Sequence, residues 1–296
     1  VLRVREREDP EDILVLNAAE RGTIIHETLD RFMKTNAGWE GAWQPHHLEQ
    51  ILAMGDARCQ QAEEDGITGK PLLWNIERQR IRRDLEGFLE ADAERRALGY
   101  QFVAGEHPFG MGPNGHGPLR VQLSDGSAIA FRGRIDRIDR NPQTGALAVY
   151  DYKSGRTTPY KDIDNDHLKS GELLQLPIYA LAAAQAFGED ASTWASYWFV
   201  TRQGEYEHKG YLVGPDDLAE FGRMLNVIAN GIGGGVFPAN PGLPETRYGG
   251  STNCNFCPYK GLCPSDRQPA WRRKQSSPES VEYLQLANKA VTLDDD

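Results

Sequence analysis

The stretch Leu147-Ala148-Val149-Tyr150-Asp151-Tyr152-Lys153 sets a carboxylate and an ammonium two residues apart at the end of an apolar run. Side chains alternate across an extended chain, so Leu147, Val149, Asp151 and Lys153 share one face. A face that begins as core and ends in two charges is costly to bury unless those charges have partners. The preceding run, Phe131 to Asp139, carries a second carboxylate, Asp136. Pairing the two runs as a hairpin brings Asp136 toward Asp151 at one end of a sheet. Converging carboxylates repel, and a hard divalent cation with oxygen ligands relieves the repulsion. Lys153 beside such a cation can orient a nucleophile or stabilise developing negative charge. A different reading of the same residues is a cross-strand salt-bridge ladder among Arg134, Asp136, Arg137, Asp151 and Lys153.

Two further groups have spacing that suits such a centre. Gln175 and Tyr179 stand four residues apart and share a face if the segment is helical. His26, in Gly22-Thr23-Ile24-Ile25-His26, lies in a helical segment from which an imidazole can complete a metal shell. Each alone is commonly a packing residue. A third feature is Cys254-Asn255-Phe256-Cys257 followed by Cys263. The short C-x2-C spacing lets two thiolates chelate one centre, and Pro258 and Pro264 discourage a regular helix there. Spacing alone favours zinc, the common metal of cysteine clusters. Cys59 reads as a buried free thiol in a helix.

The elements that must position these residues follow from periodicity. Helices are expected from Leu14 to Met33 and from about Leu72 to Leu98. Strands are expected over Phe102–Phe109, Leu119–Leu123, Ala128–Arg140 and Ala146–Lys153, the last two joined at Asn141-Pro142-Gln143-Thr144-Gly145. A helix from about Glu172 to Phe187 contains Pro177, which implies a kink or a later start. Ser196 to Val213 reads as a hairpin turning at Gln203-Gly204. A further helix starts near Asp216 and Asp217. This order gives a mixed α/β sheet core flanked by helices, with a helical N-terminal elaboration and a C-terminal cysteine segment. The chain divides by pattern into residues 1–100, 101–235 and 236–296.

Taken together, these motifs resemble the PD-(D/E)XK nuclease superfamily, in particular its RecB-like branch. That branch includes AddB-like nuclease domains and CRISPR-associated RecB-like exonucleases. The matching pairs are Gly22/His26, Gly133/Asp136, Asp151/Lys153 and Gln175/Tyr179, in the order of the family pattern. The resemblance runs from about residue 20 to 265. It implies a restriction-endonuclease-like fold with residues 101–235 as nuclease core. It also implies a Mg²⁺ or Mn²⁺ ion held by His26, Asp136, Asp151 and the backbone carbonyl of Tyr152. Lys153 would be catalytic, with Gln175 and Tyr179 positioning Lys153 or substrate. The implied reaction is hydrolysis of DNA phosphodiesters by metal-activated water, with exonuclease action, inside a helicase–nuclease of double-strand break repair. Other readings are a stand-alone exonuclease and a catalytically silent DNA-binding module of the same fold. In AddB-like relatives the cysteine triplet and a fourth cysteine before the histidine helix hold a four-iron four-sulfur cluster. No cysteine precedes Gly22 in this sequence, so the cluster is expected to be incomplete or absent here, with zinc as the alternative.

Bulk properties set outer limits. The 296 residues suffice for a sizeable core. No apolar run approaches the roughly 20 residues that span a bilayer, which leaves a cytoplasmic, DNA-processing protein without membrane contact as the expectation. The start at Val1 suggests a piece of a longer polypeptide joined to a helicase region or subunit. The net charge of -10 runs against a nucleic-acid partner. Arg78, Arg80, Arg82 and Arg83, and the run Trp271-Arg272-Arg273-Lys274, are local exceptions that also fit solvated helix faces.

Overall fold

A computed structural model describes residues 14–111, 117–188, 193–245, 250–255, 257–259, 262–263, 266–275 and 277–287. The described residues fall into two compact units. One lies within Val1–Val121, Ile129–His167 and Leu174–Leu218, the other within Gln122–Ala128, Leu168–Leu173 and Ala219–Asp296.

The first unit opens with three helices, α1 (Ala18–Thr35), α2 (Pro45–Glu64) and α3 (Pro71–Ala97). Helix α1 starts four residues later than its apolar spacing suggests. The reason is a cap: the Asn17 side chain accepts from the Glu20 N–H at 2.8 Å, satisfying one of the free donors of the first turn. Helix α2 is hidden in the sequence because its inner face is made of His47, Ile51, Gly55, Cys59 and Ala62, a stripe too small and too polar to read as core. Those small residues let α2 and α3 approach closely; a Cβ on Gly55 would lie 2.5 Å from Leu85 Cδ1.

Five strands form a mixed sheet in the order β1-β4-β5-β6-β7. They are β1 (Gln101–Phe109), β4 (Gly133–Arg140), β5 (Leu147–Lys153), β6 (Thr193–Phe199) and β7 (His208–Val213). Only β5 and β6 run parallel, joined through α4 (Gln175–Phe187); the other neighbours are antiparallel. This is the helix-flanked mixed sheet implied by the sequence. The expected long strand over Ala128–Arg140 breaks at Arg132, however. Its first part, β3 (Ala128–Phe131), forms a separate two-stranded sheet with β2 (Leu119–Gln122). At the break a Cβ on Gly133 would meet the Phe109 ring at 2.8 Å, so β4 enters the main sheet through a residue with no side chain. Helix α4 starts at Gln175, not Glu172, which puts Pro177 in the first turn, where its missing N–H has no helical partner to lose.

The core of this unit is continuous from the helices into the sheet. Ile24, Leu29, Ile81, Leu85 and Phe88 pack with Ala148, Tyr150, Tyr152 and Trp198. That face of β5 is the helical one; Gln175 of α4 meets Asp151 on the other. Strand β5 is thus covered on both sides, which explains why its polar end is buried with its apolar start.

In the second unit, the described elements include most of α5 (Pro215–Gly233), the short strands β8 (Pro244–Glu245) and β9 (Gly250–Ser251), α6 (Arg267–Gln275) and α7 (Val281–Ala287). No helix among the described residues is long and apolar enough to cross a membrane.

Candidate active site

Register places three carboxylates in one row across adjacent strands. Glu106 of β1 lies between the pairs Gly105–Arg137 and His107–Ile135, opposite Asp136 of β4. The β4–β5 pairing ends at Arg137–Tyr150, so Asp136 and Asp151 follow just beyond it. There the strands part, and the Tyr152 N–H donates to Asp136 Oδ2 at 2.6 Å. Glu106 was not singled out from sequence. Its backbone is left-handed, with φ +47, a rare and costly conformation for a glutamate. At the preceding Gly105 the Asp30 carboxylate of α1 approaches the backbone, so that a Cβ would displace it. A Gly-Glu pair interrupting an apolar strand is the signal that was available.

Helix α1 brings His26 to this row. Its Nδ1 lies 3.6 Å from Asp136 Oδ2, its ring lies near the backbone of Tyr152, and it meets the Tyr152 ring edge-on. Ligand atoms of His26, Glu106 and Asp136 all lie within 4.8 Å of one another. Gly22, one turn earlier in α1, faces Ser154 closely enough that a Cβ would lie 3.3 Å from its Oγ. Gly22, His26, Asp30, Glu106, Arg134 and Ser154 line a cleft of about 770 Å³.

Asp151 is held from the opposite side. Gln175 Nε2 donates to Asp151 Oδ1 at 2.6 Å and to the Tyr179 hydroxyl at 2.8 Å. Lys153 forms an ion pair with Asp151 Oδ2, and its Nζ lies 5.2 Å above the centre of the Tyr197 ring. All seven residues predicted for the centre, His26, Asp136, Asp151, Tyr152, Lys153, Gln175 and Tyr179, therefore meet at one end of the sheet. The salt-bridge ladder is not what forms. Arg137 points to the other face, where Asp92 and Asp139 take it, and Arg134 pairs with Glu106 at 3.0 Å.

The electrostatics are those of surplus negative charge. Burial, and next the Asp151 carboxylate, push the Asp136 carboxyl up to about 7. Burial also raises Asp151, against the opposing pull of Lys153. Burial disfavours the Lys153 ammonium, but Asp151 outweighs it and leaves the lysine more firmly protonated than usual. Burial and Lys153 lower His26 to about 4, so its imidazole is neutral and has a lone pair to donate. Crowded carboxylates whose charge is disfavoured by burial, beside a neutral imidazole, are the donor set that a hard divalent cation fits.

In the second unit, Cys254, Cys257 and Cys263 line one cavity of about 150 Å³ with Arg267, Trp271 and Lys274. Among the described residues the three sulfurs do not form a cluster with metal-sharing distances; the shared cavity with its cationic lining is what marks them as candidate thiolate ligands. Cys59 is buried in α2, and burial pushes its thiol up to about 11, away from the thiolate form a metal needs.

Comparison with known proteins agrees with this geometry. The sequence profile of the PD-(D/E)XK nuclease superfamily matches residues 1–264. An ATP-dependent helicase/deoxyribonuclease subunit from Symbiobacterium thermophilum is 37% identical over 178 residues, covering 57% of this chain and 15% of that protein. Its counterpart in Clostridium tetani is 24% identical over 186 residues, 60% of this chain and 16% of the relative. The exonuclease/helicase subunit RexB of Streptococcus pneumoniae serotype 4 is 40% identical over 77 residues, 26% of this chain and 7% of the relative. The chain thus spans less than a fifth of the length of these relatives. With the profile covering most of its length and the acidic row in place, the chain belongs to the PD-(D/E)XK nuclease superfamily.

Proposed function

We propose that this chain is a Mg²⁺- or Mn²⁺-dependent DNA nuclease, acting as an exonuclease within a helicase–nuclease that processes double-strand breaks. The observation that carries the reading is the row Glu106–Asp136–Asp151 at the sheet end, closed by His26 on one side and Lys153 on the other. The names of the relatives, which pair deoxyribonuclease with helicase, support DNA as substrate and a helicase as companion. His26, Glu106, Asp136, Asp151 and the Tyr152 carbonyl would hold the ion. When bound, a divalent cation supplies Lewis-acid stabilisation of phosphoryl charge and makes water more acidic. The protein's own residues do the rest. Lys153, kept charged by Asp151, stands ready to hydrogen-bond a phosphoryl oxygen or the attacking water. Gln175 and Tyr179 fix the Asp151 carboxylate so that it cannot swing away from Lys153.

The three cysteines are read as ligands of a second, structural metal centre. By resemblance this is a four-iron four-sulfur cluster with its fourth ligand from outside Cys254–Cys263, and zinc is the alternative. Visible absorption with iron and sulfide content, against zinc content, separates the two.

Cleavage of end-labelled DNA with Mg²⁺ or Mn²⁺ tests the nuclease reading, comparing the unaltered chain with Asp151→Ala and Lys153→Ala. Each variant is expected to lose at least about 10²-fold in rate, the typical cost of one group stabilising transition-state charge. Equal cleavage by all three proteins would remove the proposed centre.

A further inference from the structure

A second polar cavity, of about 500 Å³, lies beside the catalytic cleft and is lined by Arg21, Arg80, Arg83, Arg202 and Gln203 with Glu77 and Asp84. It sets four guanidinium groups against two carboxylates in a chain of net charge -10. We propose that this cavity binds backbone phosphates of the DNA strand beyond the scissile bond, an inference that rests on the nuclease reading of the neighbouring cleft.

The arginine run of α3 divides its labour by helical face. Arg78 and Arg82, one turn apart, pair with Glu63 and Asp56 of α2. Arg80 and Arg83 turn the other way and line the cavity. Arg21 is committed to the floor, being only 16% exposed and held by Glu77 and Asp84. Arg80 meets Glu77 at 3.2 Å but remains 64% exposed. Arg83 and Arg202 are exposed, and among the described residues neither has an ion pair. Exposed guanidinium groups over a fixed acidic floor are suited to planar, bidentate contact with phosphate.

The wall that carries Arg202 is held rigidly. Its backbone N–H donates to Asp84 Oδ1 at 2.9 Å. Glu205 and Tyr206 follow with φ of +57 and +56, two successive left-handed residues without glycine. Such strain persists only where surroundings enforce it. Here the Tyr206 hydroxyl donates to the carbonyls of Arg83 and Asp84 at 3.2 and 3.3 Å, and Gly87 leaves the notch that receives it. The turn is thereby anchored to α3 with Arg202 beside Arg83.

The cavity also joins the cleft. Arg21 Nη1 reaches the carbonyl of Ser154 at 3.4 Å. Ser154 follows Lys153 and lines the cleft, as does Gly22, the neighbour of Arg21. A strand bound at Lys153 therefore meets the arginines as it passes Ser154.

The test is fluorescence anisotropy with labelled single-stranded oligothymidylates of about four and about sixteen nucleotides, the range of single-strand sites. EDTA prevents cleavage, and salt is varied. For the longer strand, Arg83→Ala/Arg202→Ala is expected to weaken binding about tenfold and make the log K against log salt slope shallower by about 1.4, two contacts at about 0.7 each. The short strand should lose less. An unchanged slope and affinity, an equal loss on both lengths, or no salt-dependent binding by the unaltered chain would overturn the proposal. If the unaltered chain cleaves no DNA with metal yet the slope changes as stated, the nuclease reading fails and the phosphate site stands.

Discussion

Asp136 and His26 titrate in opposite senses, and the consequence is visible only when the two are taken together. In an unfolded chain His26 has its ordinary value of 6.5 and Asp136 its ordinary 3.8, so between these values the pair holds one proton, on the histidine. In the folded protein the values are about 4 and about 7, and the pair again holds one proton, now on the carboxyl. The proton counts differ mainly between about pH 6.5 and 7, and slightly near pH 4, where the folded state keeps a proton the unfolded state has lost. Stability from this pair therefore falls slightly as pH rises through the upper window and is otherwise nearly flat. Cation binding is a different matter, because it must displace that proton. Affinity for Mg²⁺ or Mn²⁺ is expected to rise about tenfold per pH unit below pH 7 and to level off above it. Calorimetry in buffers of different ionisation enthalpy should find about one proton released at about pH 6 and almost none at about pH 8. No proton release at the lower pH would exclude Asp136 as a ligand. Glu106 belongs to the same balance: Glu106→Gln removes a charge opposite Asp136 and should weaken cation binding about 10–100-fold, the usual range for altering a metal shell. Unaltered affinity in that variant would confine Glu106 to its pairing with Arg134.

The turn between β6 and β7 shows how an element, rather than a side chain, sets the site. A Cβ on Gly204 would lie 2.5 Å from Phe199 Cβ and 2.9 Å from the carbonyl oxygen of Gly155. Both neighbours belong to backbone-fixed positions and cannot swing aside. Gly204→Ala is expected to cost about 1–3 kcal/mol, as overpacking does, read as a lower urea midpoint, and to weaken binding of the longer oligothymidylate. A midpoint equal to that of the unaltered chain would mean that the turn adapts freely. The turn itself is where the sequence places it, at Gln203-Gly204. Asp136, Asp151, Lys153, Gln175 and Tyr179 were legible because strand alternation and helical spacing fix which side chains share a face. The sheet core was legible for the same reason. Glu106 was not, because its contribution depends on a single left-handed residue that no periodicity encodes. Helix α2 was not, because its buried stripe of histidine, glycine, cysteine and alanine carries a single large apolar residue, Ile51. The split of Arg78 and Arg82 from Arg80 and Arg83 needed α2 in place before the two faces could be told apart.

At the scale of the whole molecule the acidic net charge is compatible with the proposed DNA substrate because of where charge is placed, and a buried ionic group holds the strands of the site to the helices. Arg137 of β4, fully buried, meets Asp92 of α3 at 2.6 Å and Asp139 at 2.7 Å. The Trp43 indole N–H donates to the second Asp92 oxygen at 2.7 Å, and the Tyr152 hydroxyl lies close enough to Arg137 to feel its charge. The triad thus reaches from α3 to Tyr152, the residue between Asp151 and Lys153. Desolvating three charges offsets much of their attraction, so the group as a whole adds little stability. Removing one member is another matter. Arg137→Met leaves two buried carboxylates without the cation that contacts them both and is expected to destabilise the protein by about 3–5 kcal/mol. The combined variant Asp92→Leu/Arg137→Met/Asp139→Leu leaves no orphaned charge and should recover most of that loss. Cation affinity, however, should stay below that of the unaltered chain, because Tyr152 has lost its anchor. Urea unfolding and calorimetry on the two variants check both halves. A triple variant as unstable as the single one would show that Arg137 acts by packing, and full recovery of cation affinity would show that the anchor of Tyr152 does not reach the metal centre.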